Sequence, residues 1–392
     1  MKTSARDRFT AMSLKVLITN LKLESWTGTE LFVRDVARGL LELGHRPVIY
    51  SPRLGRLAAE IRKETVPVVD DLSQVSGPPD VIHGQHANET MTALLHFPNT
   101  PALYFCHDWY FDEDYPPRFP RILRYVAVDD ACYDKLVCEY GVPEERAQVV
   151  SQFVDLERFA PRSPLPSSPR RAAVLCNHTK ENDYLNAARE ACARKGLTLD
   201  AFGAGVGKTC ERPEEVLREY DVVFAKGRAA LEAAAVGAAV VVYWWRRVGP
   251  VVRTDNLEQL RADGFGFRSL SAQLTPEEFG RLIEQTLAGY DAADAAEVSR
   301  RVRAEAGRDA AIKELLRLYE AVIDEYKTAP PNSEPEGPAA AAHLRAISTG
   351  FRQQREAIFA STPFRVTEQL LRTPVVGRVA RTVARGLVKK RG

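Results

Sequence analysis

Short β-branched runs alternate with amphipathic helices along this chain, and the alternation happens twice. KVLIT (15–19) is a continuous apolar run of the kind a strand buried on both faces needs. After the loop NLKLESWTGTE, apolar residues recur at Leu31, Val36, Leu40 and Leu43 in the pattern of an amphipathic helix, and Gly44 ends it. PVIY (47–50) completes a βαβ unit, and DVIHG (80–84), ALYFC (102–106) and YVAV (125–128) continue the series. Such alternation implies an α/β fold with an open parallel sheet covered on both faces.

A proline- and serine-rich stretch near 160–170 interrupts the pattern, which restarts with AAVLC (172–176), LTLDAF (197–202), DVVFA (221–225) and AAVVVY (238–243). Helices are predicted at 275–289 and 294–326. The expected organisation is a Rossmann-like domain over 14–160, a second over 171–300, and a closing helix over 301–328 that can cross back to the first. A proline-rich linker and basic amphipathic tail follow over 329–392.

Charge separates body from tail. Residues 329–392 hold 11 Lys/Arg against 4 Asp/Glu, and residues 1–328 hold 43 against 48. An acidic body argues against nucleic acid as partner, and a basic tail suits an interaction segment. TPVVGRVARTVARGLVKKRG (373–392) sets valines and Leu387 opposite Arg378, Arg381 and Arg385, the pattern of a helix lying on an anionic membrane. Packing on the body, or simple solubility, explains it equally. The six cysteines form no CxxC pair, which argues against a zinc site or a disulfide framework. MKTSARDRFTAMS has no apolar core of a signal peptide, and no window of about 18 apolar residues occurs. The expected location is cytoplasmic, with peripheral contact at the inner membrane face as an option.

The stretch FAKGRAALEAAAVGAAVVVY (224–243) carries the chemistry. A strand ends, Gly227 turns the chain, and a helix opens at the strand's carboxyl end, where ligands bind in open α/β sheets. Lys226 and Arg228 beside a helix N-terminus suit a diphosphate. Glu232, one turn further, is an acceptor-only group able to hold the two hydroxyls of a ribose. The plain alternative is an exposed glutamate behind a solvated basic turn. GAGVGKT (203–209) imitates a phosphate-binding loop, but only three residues separate Gly203 from Gly207 where four are needed, so a glycine-rich turn is the better reading.

Three stretches together resemble the glycosyltransferase family 4 superfamily: TGTELFVRDVARGLLELGHRPVIY (27–50), YGVPEERAQVVSQFVDLERFAP (140–161) and KGRAALEAAAVGAAVVVY (226–243). The resemblance spans roughly residues 14–326 and implies the GT-B fold, two Rossmann-like domains facing a central cleft. It implies a hexosyltransferase-type enzyme that moves a sugar from a nucleotide-sugar to an acceptor hydroxyl, with retention, without metal or cofactor, in glycan or glycoconjugate synthesis. It implies that the second domain binds the nucleotide-sugar donor and the first the acceptor, which would be a glycan, a lipid-linked glycan or a small molecule.

Position by position, the resemblance puts Glu232 on the donor ribose, Gly28 and Thr29 at the donor phosphates, and His107 in the active site. His86 would line the acceptor cleft, and Lys180 would take the place of a diphosphate-gripping lysine, with Lys226, Gly227 and Arg228 supporting it. The bland readings are a helix cap for Gly28 and Thr29, and strand-end or loop-capping histidines. One departure is plain: the family's first motif glutamate falls at Phe224. Asp70-Asp71, Asp112–Asp114 and Asp129-Asp130 form no convincing metal pair. Rival readings are a non-catalytic nucleotide-sugar binder of the same fold and a nucleotide-sugar epimerase.

Overall fold

The computed structural model of the protein describes residues 13–109, 114–329 and 335–360. The basic stretch 373–392 and Asp112 lie outside the described residues.

The first half is a seven-stranded parallel sheet. β1 (Lys15–Thr19), α1 (Gly28–Glu42), β2 (Arg46–Tyr50), α2 (Arg56–Lys63) and β3 (Val68–Val69) run outward to one edge. The chain then returns past β1 to β4 (Val81–Gln85), α3 (Ala87–His96), β5 (Ala102–Cys106), β6 (Ile122–Ala127), α4 (Asp130–Asp134) and β7 (Ala147–Val149). The strand order β3-β2-β1-β4-β5-β6-β7 reverses direction between β1 and β4. That reversal opens a crevice at the strands' carboxyl ends, and α1 begins there.

The second half repeats the plan. β8 (Arg171–Leu175), α5 (Asp183–Arg194), β9 (Thr198–Phe202) and α6 (Pro213–Val216) lead back past β8 to β10 (Val222–Ala225), α7 (Gly227–Val236) and β11 (Ala239–Trp244). The order β12-β11-β10-β8-β9 places its reversal between β8 and β10, so α7 starts at the second crevice. One strand departs from the expected all-parallel pattern. β12 (Arg247–Val251) pairs antiparallel with β11 through a two-residue turn at Trp245-Arg246. α8 (Leu257–Ala262), α9 (Pro276–Leu287) and α10 (Ala292–Glu305) complete this half.

The glycine-rich decoy has a packing explanation. Gly203 has φ +146°, and a Cβ there would stand 2.2 Å from the Cys176 carbonyl oxygen. The glycine lets this turn lie against the loop after β8.

The single helix expected over 294–326 is two helices. α10 stops at Glu305, and α11 (Arg308–Thr328) starts after Gly307. The crossing segment holds this break open: Val154 N–H donates to the Ala306 carbonyl at 2.8 Å, and Arg308 N–H to the Val154 carbonyl at 2.9 Å. Arg308 then pairs with the buried Asp155 at 3.0 Å and with Glu42. From there α11 lies on the first half, where Ile312, Leu315, Tyr319 and Val322 join the core of β1, β4 and α1. Gly39 of α1 permits this contact, since a Cβ there would sit 2.6 Å from Ile312 Cγ1.

α12 (Glu336–Ala360) is helical where the sequence suggested linker and tail. None of its residues is buried, and it exposes Leu344, Phe351 and Ile358 at heptad spacing along one face.

Leu315 is fully buried where α11 meets the first core. Leu315→Ala should therefore cost about 2–5 kcal/mol of stability, measured by urea unfolding.

Candidate active site

The two crevices meet at one small cavity of about 120 Å³. From the first half come Trp26, Thr27 and Gly28, at the start of α1. From the second come Cys176 and Asn177 after β8, Gly203 after β9, and Arg228, Ala229 and Glu232 of α7. Local chemistry shapes each wall. Glu30 turns back to accept from Thr27 N–H at 2.9 Å, which fixes the first turn of α1. Asn177 Oδ1 accepts from Ala204 N–H at 3.2 Å, which holds the glycine turn against the loop after β8. The N-terminal turns of two helices, one from each half, therefore face the same space.

Arg228 is the centre of this wall. It is 9% exposed, and its Nε donates to Glu232 Oε1 at 2.6 Å. Its Nη2 meets Asp35 of α1 across the gap between the halves. The two cations at the helix start do not both stand free for a diphosphate, because Arg228 is committed to two carboxylates. Asp35 and Glu232 hold it charged even in a buried place. Burial raises the Glu232 carboxyl above its ordinary value, opposed chiefly by Arg228. Asp35 carries no motif and lies on the buried side of an amphipathic helix. The only sequence signal for it was a charge amid core positions.

Lys226 caps α7 from outside the cavity. Its ammonium lies 3.6 Å from Asp108 of the first half and over the rings of Phe267 and Trp244, at 4.4 and 5.4 Å. Gly227, with φ +58°, makes the turn, and its N–H is taken by the Phe265 carbonyl at 3.2 Å. Beyond Lys226 lies a second, larger cavity of about 580 Å³, walled by Trp109 from the first half and by the β11–β12 turn and Phe267 from the second.

The histidines gather in the first half. His83 stacks on Phe105 at 4.0 Å, and its Nδ1 lies 2.6 Å from the Tyr319 hydroxyl of α11. His107 packs edge-on to Phe32 at 4.7 Å, and its Nε2 is buried without a hydrogen-bond partner. Burial, then the neighbouring His86, His83 and Arg228, holds His107 well below the usual imidazole range. Burial likewise lowers His83 to about 3 and His86 to about 4. His107 is thus a neutral imidazole within reach of the Arg228 charge. His86 is buried at a strained φ of +58°, and its Nδ1 accepts from Leu21 N–H at 3.2 Å. It braces the loop after β1 and lines neither cavity. Asp114 accepts from His107 N–H at 3.0 Å, and burial followed by Asp108 raises it to about 7.

Of the residues expected at the site, Gly28, Arg228 and Glu232 line the smaller cavity. Lys226 and Gly227 adjoin it, and Thr29 and the exposed Lys180 do not line it. Phe224 is 1% exposed inside β10, paired between Val174 and Val241. The strand runs on to Ala225, so the place of the first motif glutamate is core, not cleft. The sequence reading also passed over Asp108 and the run Trp244-Trp245-Arg246-Arg247. That run, four large side chains after an apolar strand, was a visible signal.

Two Rossmann-like halves with a cavity between their helix starts define the GT-B architecture expected from the sequence. The comparisons agree: residues 26–158 match the family model Glycosyltransferase Family 4. A glycosyltransferase from Rickettsia africae ESF-5 aligns with TM-score 0.57 and 15% identity, over 80% of this chain and 99% of that one. Anabaena HepE, solved in complex with UDP and glucose, aligns with TM-score 0.55 and 14% identity, over 79% and 100%. No curated protein matches the chain. The chain is a GT-B-fold protein similar to glycosyltransferase family 4.

The depressed histidines make a pH prediction. A base whose folded pKa is lowered stabilises the fold above about pH 6.5, its unfolded value, and that stability is lost as pH falls. His107→Asn should gain on the wild type as pH falls from about 6.5 to 5, with a slope that rises toward about 1.4 kcal/mol per pH unit. Urea midpoints of both proteins across that range check it, and a constant difference between them would contradict a neutral His107.

Proposed function

We propose that the protein is a glycosyltransferase that moves a sugar from a nucleotide-sugar to an acceptor hydroxyl. The observation that carries the reading is the smaller cavity, where the first turns of α1 and α7 converge beside the Glu232 carboxylate. Amides at helix starts favour anionic groups, so a diphosphate fits between Gly28 and Ala229. Glu232, oriented by Arg228, would accept from ribose hydroxyls. In this reading Arg228 is a positioning residue, and the helix amides and Lys226 meet the charge on the departing diphosphate. That charge draws the Lys226 ammonium from Asp108. His107 lines neither cavity, and its expected role at a hydroxyl of the sugar or acceptor rests on the family resemblance. Retention, a metal-free reaction, hexose transfer and a role in glycan or glycoconjugate synthesis follow from the family resemblance and belong to the same proposal.

HepE's complex makes UDP and UDP-glucose the first probes. Glu232→Gln should weaken UDP binding by about ten-fold or more by calorimetry, about 1.4 kcal/mol, since it removes the charge that strengthens these hydrogen bonds. An unchanged titration would remove the ribose role. The burial of Phe224 favours a second reading, a nucleotide-sugar binder without transfer. Release of labelled sugar to any acceptor, or to water, separates the two.

No helix among the described residues is long and apolar enough to cross a membrane. Contact of the basic stretch 373–392 with an anionic membrane face remains part of the proposal. Deleting residues 340–392 should lower sedimentation with anionic liposomes, and equal sedimentation would end that idea.

A further inference from the structure

The larger cavity has a composition of its own. Trp109 projects from the first half, 48% exposed. Trp244, Trp245 and Phe267 face it from the second half, with Arg246 and Arg247 of the β11–β12 turn. Three of the chain's four tryptophans thus share one space, and the fourth, Trp26, lines the smaller cavity. At about 580 Å³ the space has the size of a small-ligand site.

Three observations say what it holds. First, neither Arg246 nor Arg247 meets a carboxylate among the described residues. Arg246 stacks over Trp245 and Tyr184 at 4.3 and 4.9 Å, and Arg247 donates to the Ser271 carbonyl at 2.9 Å. By contrast, Arg268 on the same rim is paired with Asp134. Second, Trp245 Nε1 and Arg246 Nε are buried donors without an acceptor, a condition that costs stability unless a ligand supplies the acceptor. Third, Trp245 has φ +52° at the first position of a two-residue hairpin turn. Turns with positive φ there favour glycine, and retained strain marks functional positions.

We infer that this cavity is the acceptor subsite and takes a sugar carrying an acidic group, a phosphate ester or a carboxylate. The inference rests on the sugar-transfer reading. Aromatic faces suit the C–H face of a pyranose, and guanidinium groups pair with carboxylate and phosphate in two-point geometry. Its position fits. Lys226 stands between the two cavities, next to α7 on one side and over Trp244 and Phe267 on the other. His178, which follows the cavity-lining Asn177, packs edge-on to Trp244 at 5.8 Å. A donor in the smaller space and an acceptor in the larger one therefore meet beside Lys226 and Asp108.

The test titrates the full chain with glucose 6-phosphate, glucuronate and glucose, following tryptophan fluorescence, and separately with UDP by calorimetry. The variants are Arg246→Gln/Arg247→Gln and Trp245→Gly, the latter relieving the positive φ and so keeping the fold. At least one anionic sugar should bind about ten-fold tighter than glucose, and the double variant should erase that preference. Trp245→Gly should weaken all three sugars, and UDP affinity should stay within about two-fold in both variants. Whichever anionic sugar binds identifies the acidic group. Equal binding of all three sugars, or a preference that survives the double variant, overturns the inference. Variants that weaken UDP instead would make the cavity part of the donor site and overturn it too. A wild type that binds anionic sugars but no UDP defeats the transfer reading and leaves a plain anionic-sugar site.

Discussion

One buried arginine ties the two halves together. Arg228 belongs to α7 of the second half, yet it pairs with Asp35 of α1 in the first and with Glu232 on its own helix. Removing Arg228 would leave two buried carboxylates without their cation, which typically costs about 3–5 kcal/mol. This ion pair thus joins the two helices that frame the smaller cavity. Glu232 in turn has a fixed orientation toward the cavity. The same arrangement denies Arg228 the part of a free phosphate anchor, so the anion must rely on helix amides and Lys226.

The first half is held with a different economy. His83, His107, Phe32 and Phe105 form a ring cluster, and Tyr319 of α11 closes it through His83. Burial keeps these imidazoles neutral, and neutral rings pack as aromatics. The cluster links the position of His107 to the returning helix α11. Arg308 adds a second tie, from α11 to the crossing segment at Asp155 and to the end of α1 at Glu42. The site geometry of the first half therefore depends on a helix contributed from the far end of the body.

Periodicity was the legible part of this chain. The runs KVLIT, DVIHG, ALYFC, DVVFA and AAVVVY are strands because short runs dominated by aliphatic, β-branched and aromatic residues suit a sheet buried on both faces. The doubled fold followed from the doubled pattern. The break between α10 and α11 was not legible. Helical spacing continues through Ala306-Gly307, and only pairing with distant Val154 stops it. β12 was missed because Arg247 to Val251 lacks alternation and pairs through a local turn. At the site, Glu232 and Arg228 stood out as charges on an alanine helix, whereas Asp35 and Asp108 gained meaning only when folding brought the other half against them.

Phe224 joins these strands of argument. Because β10 extends to Ala225, the first side chain to leave the sheet is Lys226, not a carboxylate. The position of the family's first motif glutamate is taken by the buried Phe224, and the first charged group after it is a cation. Its nearest acidic partner, Asp108, comes from the opposite half. Past Lys226 the wall continues with Arg246 and Arg247. The charge along this side of the gap is therefore inverted. A neutral hexose gains most from carboxylate acceptors, while a row of cations between aromatic faces favours a ligand that brings its own negative charge. The altered motif and the arginine-lined cavity are then one feature, a gap adapted to an acidic partner.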